Sequence, residues 1–104
     1  MDEWIDVAAT VDIPPNHRSV IELDGTDVAV FNLAGEFFAI EDTCTHDGGE
    51  IASGRLDGHQ IICPRHGARF CVKTGKALTA PAYEDLACFP VRVQDGMVQI
   101  RDDR

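Results

Sequence analysis

Cys44-Thr45-His46 and Cys63-Pro64-Arg65-His66 are the two stretches that decide how this chain folds. Each offers one thiolate and one imidazole, and residues 47–62 separate them. Two Cys and two His on a pair of tight loops are typical of a metal site. The sequence therefore predicts four metal ligands, and the kind of metal decides the function. The predicted ligands are Cys44, His46, Cys63 and His66.

Two kinds of metal centre compete for this ligand set. Zinc binds two Cys and two His tetrahedrally, but its structural sites usually begin with a C-x₂₋₄-C pair followed by a His pair. Here the order is Cys, His, Cys, His. In a Rieske [2Fe–2S] centre, two His replace two Cys on one of the two irons, so each loop can give one ligand to each iron. The order favours this cluster, with Cys44 and Cys63 on a buried inner iron. His46 and His66 would hold an outer iron near solvent, and zinc remains the alternative.

The rest of the chain has the pattern of a small all-β protein. Short apolar segments alternate with turn signals, and Asp95-Gly96 is the strongest hairpin signal. No segment shows a long 3.6-residue periodicity, so we expect no substantial helix. The sequence predicts one domain over residues 1–104, an antiparallel β sandwich or barrel with an inserted cluster-binding subdomain at about 42–82. The main predicted strands are Trp4–Ala8, Ser19–Leu23, Val28–Leu33, Phe37–Ile40, Gln60–Cys63, Phe70–Val72, Phe89–Gln94 and Met97–Arg101.

The two motifs resemble the cluster-binding loops of Rieske proteins. They read C-T-H-D-G-G from residue 44 and C-P-R-H-G-A-R-F from residue 63. The likeness continues through F-C-V-K-T-G-K-A-L-T-A-P-A to F-P-V-R-V-Q-D-G-M-V-Q-I and covers nearly the whole chain. The chain most resembles the small soluble Rieske ferredoxins of ring-hydroxylating and related oxygenases. The resemblance implies the Rieske iron–sulfur fold, one Rieske-type [2Fe–2S] cluster on the four ligands above, and a third loop, with Pro81, that covers the cluster.

Four positions that bind no metal indicate which kind of Rieske protein the chain resembles. Respiratory members have a disulfide between the two loops, and Gly49 and Arg65 stand at its positions here. They also carry a Ser and a Tyr that hydrogen-bond cluster sulfurs, where this chain has Ala68 and Phe70. Because such hydrogen bonds stabilise the reduced, more negative cluster, their loss lowers the reduction potential. We expect a potential near the low end of the Rieske range, roughly −150 to +300 mV.

The resemblance implies an electron carrier that is not an enzyme by itself. It would pass electrons from an NAD(P)H-dependent flavin reductase to a terminal Rieske non-haem iron oxygenase of the aromatic-ring dioxygenase type. Three alternatives stay open. They are a small Rieske-type subunit of an assimilatory nitrite reductase, a ferredoxin associated with iron–sulfur cluster assembly, and a zinc-stabilised structural domain. Nitrite reductase subunits of this type often lack cluster ligands, so the complete set here counts against the first.

Composition restricts the partners and the location. The net charge of −9 argues against nucleic-acid binding and favours a partner protein with a positively charged patch. The opening M-D-E-W-I-D lacks signal-peptide features, and no apolar run approaches the ~20 residues of a membrane span. We therefore expect a cytoplasmic protein with no membrane partner. Cys71 and Cys88 lie in apolar strand contexts and are predicted to be buried structural thiols.

Overall fold

The structure, a computed structural model, describes residues 3–45 and 48–103 and confirms the all-β class. Within these ranges the only helical element is a 3₁₀ turn at Thr10–Asp12. No helix in the described part of the chain is long and apolar enough to cross a membrane. The strands are β1 Trp4–Ala9, β2 Arg18–Leu23, β3 Thr26–Leu33, β4 Glu36–Glu41, β5 Arg55–Asp57, β6 Gln60–Ile62, β7 Arg69–Cys71, β8 Cys88–Phe89, β9 Val91–Gln94 and β10 Met97–Arg101.

The strands pair antiparallel in three sheets. The first has the order β1-β10-β9, the second β2-β3-β4-β8, and the third β5-β6-β7. The hairpin predicted at Asp95-Gly96 is confirmed as β9–β10, and β3 and β4 form a second antiparallel hairpin. The third sheet is formed by the chain between β4 and β8, and the second ligand loop connects its strands β6 and β7. The loops that carry the predicted ligands therefore follow or interrupt regular antiparallel strands.

Strand β3 divides the core into two parts. Val28 and Val30 lie in one buried cluster of side chains, whereas Ala29 and Phe31 lie in the other. Both faces of β3 are covered, so its sequence is a nearly continuous apolar run without polar alternation. Full burial of a side chain such as Phe31 contributes about 1.5–3 kcal/mol. The cluster of Ala29 and Phe31 also contains both predicted cysteine ligands, so the ligand loops share a core with the second sheet.

The prediction of one strand over Phe89–Gln94 is wrong. Pro90 separates β8, which pairs with β4 in the second sheet, from β9, which pairs with β10 in the first. Proline has no N–H to donate to a strand partner, and its ring fixes φ, so pairing is interrupted there. The chain leaves one sheet and enters the other at this residue.

The prediction that Cys71 and Cys88 are buried is wrong for Cys88 and only partly right for Cys71. Cys88 is exposed on edge strand β8, where its neighbour Phe89 faces the core. Cys71 is half-buried, and neither cysteine is in a disulfide. Burial raises the pKa of the Cys71 thiol, but hydrogen bonds with Thr74 and Lys73 and the charge of Lys73 outweigh it. The pKa therefore lies below the ordinary cysteine value.

Candidate metal centre

Three of the four predicted ligands lie in the described part of the structure, and His46 lies outside it. Cys44 is fully buried and Cys63 is 1% exposed, and both belong to the core cluster beneath the second sheet. His66 is exposed. Across residues 3–45 and 48–103, no three His, Cys, Asp or Glu side chains are arranged around a single metal ion. The burial of the two thiols and the exposure of the His66 imidazole suit an inner iron held by sulfur and an outer iron held by nitrogen.

The first ligand loop is closed by two backbone hydrogen bonds at Cys44. The Cys44 N–H donates to the carbonyl of Gly49, with an N···O distance of 2.6 Å. The Gly48 N–H donates to the carbonyl of Cys44 at 2.7 Å. The cysteine is thus bonded to the residues four and five positions further along. These bonds satisfy its backbone where the chain is too tightly turned for strand pairing.

The second ligand loop repeats this construction. The Cys63 N–H donates to the carbonyl of Ala68 at 2.7 Å, and the Gly67 N–H donates to the carbonyl of Cys63 at 3.1 Å. The two loops therefore have equal length, although the His follows its Cys by two positions in one and by three in the other. Ligand spacing alone conceals this equivalence. The sequence signal that reveals it is a glycine four residues after each cysteine.

Gly48 and Gly67 occupy the same position in the two loops and have the same conformation. Their φ angles are +75° and +74°, in the left-handed region that side chains other than glycine rarely adopt. A Cβ built at either glycine would have no neighbouring atom within 4 Å. The requirement for glycine at these positions is therefore conformational, and it supports a preformed loop for each cysteine.

Asp42 fixes the approach to the first loop, and sequence reasoning missed it. Its side chain is 8% exposed, and its Oδ1 accepts hydrogen bonds from the N–H groups of Ile51 and Ala52, each at 2.9 Å. Its own N–H donates to the carbonyl of Asp27 on β3. The carboxylate therefore joins the chain that enters Cys44 to the chain that leaves the loop. An acidic residue two positions before the cysteine is the only sequence signal.

Replacing Asp42 with Ala is expected to lower the free energy of unfolding by about 3 kcal/mol. Two buried N–H groups would lose their acceptor. A hydrogen bond to a charged group contributes about 1.5–3 kcal/mol to stability. Urea unfolding, followed by circular dichroism, measures the loss. Asp42→Asn keeps an oxygen for the same two N–H groups and should lose less than half as much. An Asp42→Ala variant as stable as the wild type would contradict this role.

The third loop, which contains Pro81, is bonded to the first ligand loop and to the strand that follows the second. The hydroxyl of Thr45 in the first loop donates to the carbonyl of Glu84 at 2.7 Å. The N–H of Arg69, just after the second loop, donates to Oγ1 of Thr79 at 3.0 Å. The third loop is thus attached next to Cys44 and just beyond the second ligand loop. Its contact with the cluster itself stays a prediction.

Ala68 ends the second loop, and Phe70 lies in β7 directly after it. Both are fully buried, and Phe70 belongs to the same core cluster as the two cysteine ligands. Neither side chain has a polar atom that could donate a hydrogen bond to a cluster sulfur. The low reduction potential inferred from these two positions stays a prediction.

The donor set fits a binuclear iron–sulfur cluster better than it fits a hard cation. Thiolates are soft ligands that select iron–sulfur clusters, zinc and Cu(I), and imidazole also binds iron. Both thiols begin matched loops in the dry core, where solvent does not compete for them. The exposed His66 would face solvent at the edge of the same site. The residues present therefore fit the group that the motifs predict.

Comparisons with known proteins agree with this geometry. Residues 3–90 match the model of the Rieske [2Fe–2S] domain. The ferredoxin component of the naphthalene 1,2-dioxygenase/salicylate 5-hydroxylase systems of a Ralstonia species is 36% identical over 98 residues, 94% of each chain. The ferredoxin component of the 2,4-dinitrotoluene dioxygenase system of Burkholderia sp. (strain RASC) is 35% identical over 102 residues, 98% of each chain.

A solved structure gives the same result. A chain in the complex of reduced oxygenase and oxidized ferredoxin in carbazole 1,9a-dioxygenase has a TM-score of 0.90 with this chain at 35% identity. The match covers 97% of this chain and 94% of that one. The chain therefore belongs to the Rieske [2Fe–2S] family. Its similar relatives are ferredoxin components of dioxygenase systems, which confirms the resemblance read from the motifs, the predicted fold and the Rieske-type [2Fe–2S] cofactor.

Proposed function

We propose that this chain is the ferredoxin of a Rieske non-haem iron oxygenase system of the aromatic-ring dioxygenase type. The observation that carries the proposal is near-full-length similarity to ferredoxin components of dioxygenase systems. The chain accepts electrons from an NAD(P)H-dependent flavin reductase and passes them to the terminal oxygenase. It performs no chemistry on the substrate, so it acts as a carrier and the oxygenase is the enzyme.

We further propose that the cluster is held by Cys44 and Cys63 on its inner side and by His46 and His66 on its outer side. When bound, the cluster supplies a one-electron redox couple. The buried cysteines keep one side of the site dry, whereas His66 lies at the surface, where a partner protein can approach. This arrangement suits electron transfer across a contact between proteins. We assign these ligands to a subdomain of about 42–82 within a single domain of residues 1–104.

The charge of the chain supports transient protein partners. A net charge of −9 favours association with basic patches on the reductase and the oxygenase, and such association weakens as salt screens the charges. Nucleic acid and membrane are not proposed partners. The cytoplasmic location stays a prediction, which cell fractionation would test.

The purified protein is expected to be red-brown, with visible absorption that bleaches on reduction and a potential near the low end of the Rieske range, roughly −150 mV. The physical reason is that Ala68 and Phe70 offer no side-chain donor that would stabilise the reduced cluster. Protein-film voltammetry measures the potential. A value above about +100 mV, in the upper half of that range, would contradict the low-potential assignment.

Reconstitution tests the function itself. Candidate reductase and terminal oxygenase are mixed with the cluster-loaded chain, and oxidation of an aromatic substrate is followed with NAD(P)H consumption. Substrate oxidation should depend on the chain and should be absent with the iron-free chain, which is the matched control. Support of nitrite reduction without support of any oxygenase would favour the nitrite reductase subunit. Transfer of a cluster to acceptor proteins would favour the assembly role.

A further inference from the structure

A side-chain contact joins the two ligand loops at Gly49 and Arg65. A Cβ built on Gly49 would lie 2.6 Å from both Cζ and Nη2 of Arg65, closer than carbon and nitrogen atoms can approach without displacement. Gly49 is not among the residues with positive φ, so its backbone is compatible with other residues. A side chain at this position would therefore have to displace the guanidinium of Arg65 from its place beside the first loop.

The same guanidinium bonds the chain that follows the first loop. Nη2 of Arg65 donates to the backbone carbonyl of Glu50 at 2.6 Å, and Nη1 lies 3.7 Å from Oε1 of Glu50. The carboxylate of Glu50 is itself fixed by Ser53, whose hydroxyl donates to Oε1 at 2.7 Å and whose N–H donates to Oε2 at 2.9 Å. The side-chain and backbone hydrogen bonds from Ser53, followed by the charge of Arg65, hold the pKa of Glu50 below its ordinary value.

The backbone contacts matter more than the ion pair. The side chains of Arg65 and Glu50 are 36% and 48% exposed, and ion pairs this exposed contribute little because water screens them. The bond to the Glu50 carbonyl and the packing against Gly49 depend on the planar shape of the guanidinium, which gives them a fixed geometry. Arg65 lies between Cys63 and His66, so any movement of its backbone moves the second loop.

We propose that Arg65 is a positioning residue that clamps the two ligand loops together across Gly49 and the Glu50 carbonyl. It holds the loops at the separation that a shared cluster requires. This inference rests on the proposed function, because the clamp serves ligands contributed by both loops. It predicts that Gly49 and Arg65 act as one unit in cluster retention.

A double-mutant cycle tests the clamp. Cluster-loaded wild type, Gly49→Ala, Arg65→Ala and the double variant are incubated with a chelator, and bleaching of the visible absorption is timed. Each single substitution is expected to speed cluster loss about tenfold, a barrier change of about 1.4 kcal/mol. The double variant should lose its cluster no faster than Arg65→Ala, because the added methyl group then has no guanidinium to displace. Additive effects, about hundredfold in the double variant, would overturn the proposal.

Arg69→Ala is the matched control, because Arg69 follows the same loop but its guanidinium pairs with Asp57 at 2.9 Å and bonds to Gln60, both in the third sheet. Its effect should add to that of Gly49→Ala. A colourless wild type would contradict the proposed function instead. In that case the cycle is repeated on thermal unfolding midpoints, since the contact includes no cluster atom. Non-additive midpoints would then support the clamp, and additive ones would overturn it.

Arg65→Lys separates the position of the side chain from its charge. Lysine keeps the positive charge but cannot reproduce the planar fork of donors. The clamp predicts that this variant loses its cluster as fast as Arg65→Ala while its reduction potential equals that of the wild type. If Arg65→Lys retains its cluster like the wild type, Arg65 acts only through its charge and the clamp is wrong.

Discussion

Replacing Cys63 with Ala is expected to eliminate the visible absorption and the bound iron of the purified chain. Cys63 is one of the two thiolates proposed for the inner iron. It is 1% exposed in the core cluster, so water cannot readily replace it as a ligand, and no other residue of its loop carries sulfur. The chain should still fold, because removal of one sulfur atom leaves a cavity smaller than the deletions that cost 2–5 kcal/mol. Iron content and absorption are measured together with the circular dichroism spectrum.

Cys88→Ser is the matched control for that experiment. Cys88 is exposed on an edge strand and takes no part in either ligand loop, so this variant should keep its full iron content and colour. Cys71→Ser tests the half-buried thiol in the same way. Iron retained by Cys63→Ala would remove Cys63 from the ligand set. Iron lost equally from Cys88→Ser would show that the loss reflects general damage.

The features that could be predicted from the sequence are those with local signals. Each ligand motif contains its metal-binding side chains within three or four residues. Asp95-Gly96 specifies its hairpin because few dipeptides adopt two successive positive φ angles, here 53° and 77°. The apolar run over Val28–Leu33 correctly predicts the strand that forms most of β3. Each of these depends on neighbours in the chain, so no knowledge of the tertiary structure is needed.

The features that could not be predicted depend on residues far apart in the chain. The chain changes sheets at Pro90 because β4 pairs with the strand before this residue and β10 pairs with the strand after it. Asp42 reads as an ordinary acidic residue until Ile51 folds back onto it. The absence of a disulfide at positions 49 and 65 was readable in the sequence. The packing of Arg65 against Gly49 could not be predicted from the sequence, because this contact exists only when both loops are folded.

Gly54 supports the second ligand loop through a close backbone contact. A Cβ built on it would lie 1.9 Å from the carbonyl oxygen of Ile62 and 3.0 Å from that of Ile51. Ile62 ends β6 and directly precedes Cys63. The segment is also held by Arg18, whose Nη1 donates to the carbonyl of Gly54 at 2.5 Å and to that of Ala52 at 2.7 Å. Neither the glycine nor the strand can therefore move away freely.

Gly54→Ala is accordingly expected to destabilise the chain by about 3 kcal/mol, the upper end for overpacking, and to lower Tm by about 15 °C. A backbone oxygen cannot rotate out of the way as a side chain can, so β6 and the start of the second loop must shift, and cluster loss should accelerate as well. Gly58→Ala, at the other end of β5, is the matched control. Gly58 has a φ of +60° but nothing within 4 Å of a built Cβ, so its substitution should cost only about 1 kcal/mol of backbone strain. Thermal unfolding and bleaching rates of the two variants compare the cost of the steric clash at Gly54 with the cost of backbone strain at Gly58. Equal losses of stability in the two variants would show that the contact with Ile62 does not constrain the loop.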